Sequence, residues 1–393
     1  MRKMDENKGK KIIEEQKTVT QAPSTNQGSK EMRKKLIRLM ILVGGALIIL
    51  LIVMFIISLI SGKAVGYEKI EQQMTTAAKK YYEVQSSLLP TEEKGKIEVD
   101  VATLVEAEYM KPLKELRSKE SCTGKVVVQK IDGKYIYTPF LNCGKAYQTK
   151  ELYQELTEKT VTASDGLYQI GNEYVFRGET VNNYVQLDRS LFRIVKINQD
   201  QEIMLVLEKE NGGLGYYYDN RYNSERGYNS GINDFRLSRI HEQLQETYED
   251  ETKESMLTIN DKQHLVSFAS CIGKRTLTST DKTNQEECSD TLPNSMIGLL
   301  TASDYLQASL DSNCNATTDK ACQNYNYLKQ NYDWWLATAL TNDTYQVLYV
   351  NTSGFVDKVS ASATKKLRPT IMLSAQTMIK SGTGTASNPY ILK

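Results

Sequence analysis

The sequence predicts an α+β protein: a single transmembrane helix with a stalk, a small disulfide-tied α/β module, and a larger β-rich α+β distal domain. Three observations carry the prediction. The run Leu39–Ile60 holds no charged side chain and a single polar one, Ser58. All six cysteines lie beyond it. From residue 166 onward, short apolar and β-branched runs alternate with turn residues, the pattern of a strand-rich fold.

A helix rises about 1.5 Å per residue, so the apolar run is long enough to cross a hydrocarbon core of about 30 Å. Arg33, Lys34, Lys35 and Arg38 precede it, whereas only Lys63 and Lys69 follow closely, with Glu68 between them. This bias predicts a cytoplasmic N-terminus and an extracellular C-terminal domain at the plasma membrane. The run starts too deep, and lacks a following small-x-small site, to be a cleaved signal peptide; it reads as a signal-anchor. The formal net charge of +1 hides a basic tail, because residues 1–35 carry ten Lys/Arg against five Asp/Glu. That tail is polar, without aromatics, and is expected to be disordered. The expected segments are a tail (1–35), an anchor (36–61), a stalk helix (62–90), a hairpin module (91–150), a linker (151–165) and a distal domain (166–393).

Within the stalk, Tyr67, Ile70, Met74, Ala77 and Tyr81 fall at helical spacing and form one stripe, with Pro90 as the stop. The stripe could pair with a second copy or pack on the chain's own following domain. In the module, Asp132-Gly133 between strand-rich runs predicts a two-residue hairpin turn. Ile131 then faces Lys134, and counting outward sets Cys122 opposite Cys143 at a non-hydrogen-bonded site, where Cα atoms lie about 4.5 Å apart. A Cys122–Cys143 bridge follows. Pro139 faces Val126, which makes its outer flank a sheet edge.

The linker begins as a helix and ends as a loop. In the distal domain, Leu167–Ile170, Tyr174–Arg177, Tyr184–Leu187, Leu191–Ile197 and Ile203–Leu207 read as strands. Asn211–Gly231 is a loop by composition. Asp234–Glu249 is an amphipathic helix. Thr301 caps another, with Asp304 three residues on as an acidic capping box. Cys271, Cys288, Cys314 and Cys322 allow three connectivities, of which the sequence-local pairs 271–288 and 314–322 are favoured.

Two resemblances emerge from these stretches. The apolar span, the helix through Ala77-Ala78-Lys79-Lys80-Tyr81-Tyr82 and the disulfide-tied sheet resemble the pilin and pseudopilin plan over about 36–150, although the start Lys34-Lys35-Leu36-Ile37-Arg38 lacks that family's processing site. Trp334-Trp335-Leu336-Ala337-Thr338-Ala339, Val350-Asn351-Thr352-Ser353-Gly354 and Arg368-Pro369-Thr370-Ile371-Met372-Leu373 resemble an uncharacterised domain of bacterial surface proteins. More distantly they are similar to C-type-lectin-like and sulfatase-modifying-factor-like folds, over about 166–393. These motifs imply fold and location rather than activity.

The chemistry is sparse. No C-x-x-C is present, and His241 and His264 belong to no ligand motif, so no metal, cofactor or nucleic-acid partner is expected. No G-x-S-x-G, H-E-x-x-H or P-loop occurs, and catalysis would have to run through His241 or His264. The candidate ligand-binding residues are aromatic. Tyr216, Tyr217, Tyr218, Arg221 and Tyr222 give the loop the composition of an adaptable recognition surface. Alternation along a strand would bury one of Trp334 and Trp335 and expose the other for stacking. The leading expectation is a membrane-anchored recognition or adhesion protein for a surface glycan, cell-wall polymer or protein. The alternatives are a pilin-like structural subunit or assembly factor, self-associating through the stalk, and an extracellular enzyme.

Overall fold

The computed structural model describes residues 28–60, 64–209, 215–252 and 255–393. Residues 1–27 of the expected tail and 210–214 near the start of the Tyr-rich loop lie outside them. Met1–Ala64 and Val65–Lys393 are separate compact units. In the first, α1 (Gly28–Ile60) begins well before the apolar run, so residues 28–35, expected as disordered tail, are helical. Its segment Glu31–Met54 is long and apolar enough to cross a membrane, with mean hydropathy 2.9.

The second unit opens non-helically at Val65–Gly66, and α2 (Tyr67–Val84) begins only there, so the expected continuous helix from 63 to 88 is interrupted and shorter. It is not a free stalk. Ile70, Met74, Ala77, Ala78 and Tyr82 are buried in one core with Val99, Leu104, Val126, Val128 and Leu141. The apolar stripe is thus covered by the chain's own sheet rather than left for a second copy. That antiparallel sheet is formed by β1 (Lys96–Asp100), β2 (Thr123–Ile131) and β3 (Lys134–Asn142), in the order β1-β2-β3. Helix α3 (Val101–Glu106) and the turn α4 (Leu113–Leu116) complete the module. The hairpin register is the one read from the sequence: Ile131 faces Lys134, Val126 faces Pro139 and Thr123 faces Asn142, without a bulge. Cys122 and Cys143 are bridged, with Cα atoms 4.1 Å apart. Gly124 lets α2 approach, since a Cβ there would lie 2.8 Å from Met74 Cε and 3.1 Å from Phe140 O.

The expected linker is built into the distal core instead. In α5 (Leu152–Thr157), Leu152 and Leu156 are buried in that core. The five expected strands all form: β4 (Gly166–Ile170), β5 (Glu173–Arg177), β6 (Tyr184–Gln186), β7 (Leu191–Ile197) and β8 (Ile203–Leu207). Then come β9 (Tyr216–Tyr217), α6 (Arg239–Glu249, capped by Ser238), α7 (Ile259–Lys262), β10 (Phe268–Cys271), β11 (Lys274–Arg275) and β12 (Thr291–Ser295). Helix α8 (Ala302–Gln307) starts at Thr301 with the expected capping box to Asp304. The chain continues through β13 (Trp334–Leu340), β14 (Gln346–Val350), β15 (Val356–Ser360), β16 (Thr364–Lys365), β17 (Thr370–Leu373), β18 (Ile379–Ser381) and β19 (Tyr390–Leu392).

These strands build an eight-stranded sheet along β17-β8-β7-β6-β19-β18, with β5 attached to β7 and β4 to β5, and a four-stranded sheet β11-β13-β14-β15. The last strand closes the first sheet by pairing parallel with β6, Tyr390 facing Val185. Gly382 permits that return: φ is +101° and a Cβ would meet Pro389 O. Bridges Cys271–Cys288 and Cys314–Cys322 both form.

The two halves of the second unit are joined by specific contacts. Thr138 Oγ1 donates to Gln376 Oε1 at 2.9 Å. The Lys393 ammonium pairs with the buried Glu71 carboxylate, which also accepts from Tyr147 and Thr149.

Candidate functional site

The sequence-predicted binding residues do not form one surface. Trp334 and Trp335 are both fully buried. Alternation does send them to opposite faces of β13, but each face is covered. Trp334 meets Tyr305 of α8 at 5.9 Å and the Arg368 guanidinium at 4.8 Å. Trp335 meets Tyr218 at 5.5 Å and donates from Nε1 to Tyr216 O at 2.7 Å. Tyr218 is likewise buried, and its hydroxyl donates to Ala337 O. The three are core residues, which corrects their assignment to a ligand face.

Tyr217 and Tyr222 remain exposed, Tyr216 is half-buried on the strand pair β9–β16, and Arg221 is tied to the buried Asp219 carboxylate at 2.9 Å. The loop around them is pinned rather than loose: Asn223 Nδ2 donates to Gly231 O, and Arg226 stacks on Tyr345 at 4.2 Å. The closing motifs are structural as well. Arg368 is fully buried and donates to Leu207 O and Leu328 O. His241 packs its ring against Phe235 at 5.4 Å, and burial lowers the pKa of both His241 and His264.

The sequence did not single out a cleft of about 760 Å³ between the small sheet and the distal domain. One wall comes from the β1 and β2 ends of the module, with Lys94, Gln129 and Asp132. The other comes from the β7–β8 turn, from β10 and from the start of α8. Two polar straps cross it. Lys94 Nζ pairs with Asp200 and Glu202, each at 2.8 Å, and Ser267 Oγ donates to Asp132 Oδ1 at 3.0 Å. At depth, Lys196 pairs with Asp304 at 2.7 Å. Burial alone would raise the Asp304 pKa, but Lys196, the Thr301 N–H and Asn284 outweigh it and hold the carboxyl below its ordinary value. Lys94 is held above its ordinary value because its two carboxylate partners outweigh burial.

Gln129 and Ser270 belong to the lining of the cleft, but Gln129 Oε1 and Ser270 Oγ are enclosed atoms without a hydrogen-bond partner, and Ser270 Oγ lies toward Gly298 and Thr370 rather than into the opening. Neither Tyr222 nor either Trp lines this cleft. A signal for it existed in the sequence. Val126-Val127-Val128 is an unbroken apolar run, as expected of a strand covered on both faces. The face carrying Val126 and Val128 packs on α2; Val127 and Gln129 occupy the other.

Comparison with known proteins adds one finding. Residues 245–375 match a family described as a domain of unknown function (DUF6273). The matched span holds two of the disulfides, both tryptophans and the β10 and α8 parts of the cleft wall, whereas Lys94, Gln129, Asp132 and Lys196 fall outside it. No curated protein and no solved structure matches the chain.

Proposed function

We propose that this is a membrane-anchored, extracytoplasmic recognition protein of the cell surface whose ligand seats in the cleft between the small sheet and the distal domain. The anchor is the apolar helix, and the Lys/Arg bias before it supports a cytoplasmic N-terminus. Three disulfides support an oxidising location for the second unit. The observation carrying the recognition reading is the cleft itself, lined from both halves of the unit. Its size is that of a small-ligand site, and it combines an apolar wall with a few convergent polar groups.

The test uses the full chain in lipid nanodiscs, screened against arrayed surface glycans and purified cell-wall polymer, beside Ala269→Trp, an exposed position of the cleft lining on β10. Saturable binding lost in Ala269→Trp, with thermal unfolding preserved, supports the proposal. Binding that survives the substitution places recognition elsewhere, with Tyr217 and Tyr222 the next face to examine. Absence of binding to every polymer contradicts a recognition role.

A further inference from the structure

The two halves of the second unit are held together differently at the two ends of the β2–β3 hairpin. At its base the chain itself runs on from Asn142 into α5 of the distal core, and the buried Glu71 carboxylate takes Lys393, Tyr147 and Thr149. Part of the way along, Thr138 and Gln376 meet, both buried. The hairpin spans nine residue pairs from base to tip, roughly 30 Å at the rise of a strand.

At the tip the ties that cross are mostly polar. The turn carrying Lys94 is fixed to the hairpin: Lys94 N donates to Lys130 O at 2.8 Å, Gln129 Nε2 donates to Lys94 O at 3.1 Å, and Glu93 accepts the N–H groups of Asp132 and Gly133. Across the mouth of the cleft the β7–β8 turn is equally firm, because the Asn198 side chain donates to Glu202 and accepts the N–H groups of Asp200 and Glu202. Two well-held turns are therefore joined through one lysine, whose ammonium pairs with Asp200 and Glu202 at 2.8 Å each. The Ser267–Asp132 bond at 3.0 Å and the half-buried Ile131, packed on the distal core, add to it. Lys94 and Asp200 are 46% and 48% exposed. Ion pairs this open contribute little and are screened by salt. The base is continuous chain around a buried carboxylate, which holds far more firmly.

Resting on the reading of the cleft as the recognition site, we propose that this unit is a jaw hinged at the base of the hairpin, and that Lys94 with Asp200 and Glu202 is the clasp that holds its mouth shut and controls entry of the ligand. Closed, the clasp spans the entrance. Released, it uncovers the apolar wall at Met204 and Met372, which face each other on β8 and β17 and line the cleft while nearly buried.

Those two methionines are native reporters. Their oxidation by dilute hydrogen peroxide is followed by peptide mass spectrometry on the full chain in nanodiscs. Met74 and Met256, buried in the two cores and outside the cleft lining, are the internal controls. Lys94→Ala is expected to speed oxidation of Met204 and Met372 about two- to fivefold, the range over which one exposed ion pair shifts an equilibrium, with the controls unchanged. Raising salt is expected to move the parent chain toward that rate and to leave Lys94→Ala where it is. Lys94→Glu, which sets a third carboxylate against the other two, is expected to be faster still, and Lys94→Glu with Asp200→Lys to return toward the parent. Unchanged rates at both methionines in Lys94→Ala and Lys94→Glu overturn the inference. So does an equal rise at Met74 and Met256, which reports general loosening, or a charge swap that leaves the rate as high as in Lys94→Glu. Gated oxidation in a chain that binds no polymer supports the jaw and counts against the recognition reading alone.

Discussion

Two polar regions of the second unit show opposite economies. Around Arg275 and Glu287 the charges are fully enclosed. The pair is 2.7 Å apart, with both side chains inaccessible, and Glu287 also accepts from the Ser303 backbone N–H, the Ser303 hydroxyl and Thr338. Arg275 adds bonds to Ser303 and to the backbone oxygens of Ser279 and Asp281. This cluster ties β11, the segment before β12, α8 and β13 together. The cleft instead sets its ion pairs beside open volume, Lys94 with Asp200 and Glu202 across its mouth and Lys196 with Asp304 on its floor. The same residue types therefore hold the interior together in the enclosed cluster and line an open concavity in the cleft.

The comparison predicts a graded set of substitutions. The largest loss is expected from Arg275→Met, which strands the buried Glu287 carboxylate and should cost about 3–5 kcal/mol in chemical denaturation. A loss below 1 kcal/mol would mean that the cluster is not the closed unit described. Gly124→Ala, which forces α2 away from the small sheet, should cost about 1–3 kcal/mol; an unchanged midpoint would contradict the close packing of α2.

Asp304 belongs to both worlds, buried yet on the cleft floor. Its folded pKa lies below its ordinary value of 3.8. The stability it contributes is thus present above that value and lost as pH falls through the folded pKa. Thermal unfolding of Asp304→Asn should differ most from the parent near neutral pH and converge with it in acid. A difference that grows on acidification would reverse the sign.

At the rim, Lys94→Ala removes a pair whose lysine is 46% exposed, and should cost less than about 1 kcal/mol. Tyr222→Ala, 60% exposed, should change stability by no more than about 0.5 kcal/mol. Trp335→Ala, by contrast, should cost about 3–5 kcal/mol. Loss of binding in that variant would therefore report unfolding, not a ligand contact.

What was legible in the sequence was local. The Asp132-Gly133 turn sets a register over nine residue pairs, which places Cys122 against Cys143 with no knowledge of the rest of the chain. The Thr301–Asp304 capping box and the five strands from 166 to 207 are short-range patterns too. What was hidden depends on distant partners. The burial of both tryptophans follows from Tyr305 on one side of β13 and Tyr218 on the other, and strand alternation cannot report that both faces are covered. The docking of α2 hides the stripe that could have served self-association. The cleft joins residues near 94 and 130 to others near 200, 270 and 304, a juxtaposition that no spacing rule encodes.

The most direct measurement is hydrogen exchange on the full chain in nanodiscs, with and without purified cell-wall polymer. Ligand-dependent protection confined to Gln129–Asp132 and Phe268–Cys271 is the result predicted for a ligand seated in the cleft. Protection around Tyr216–Tyr228 with none at those two segments would contradict it.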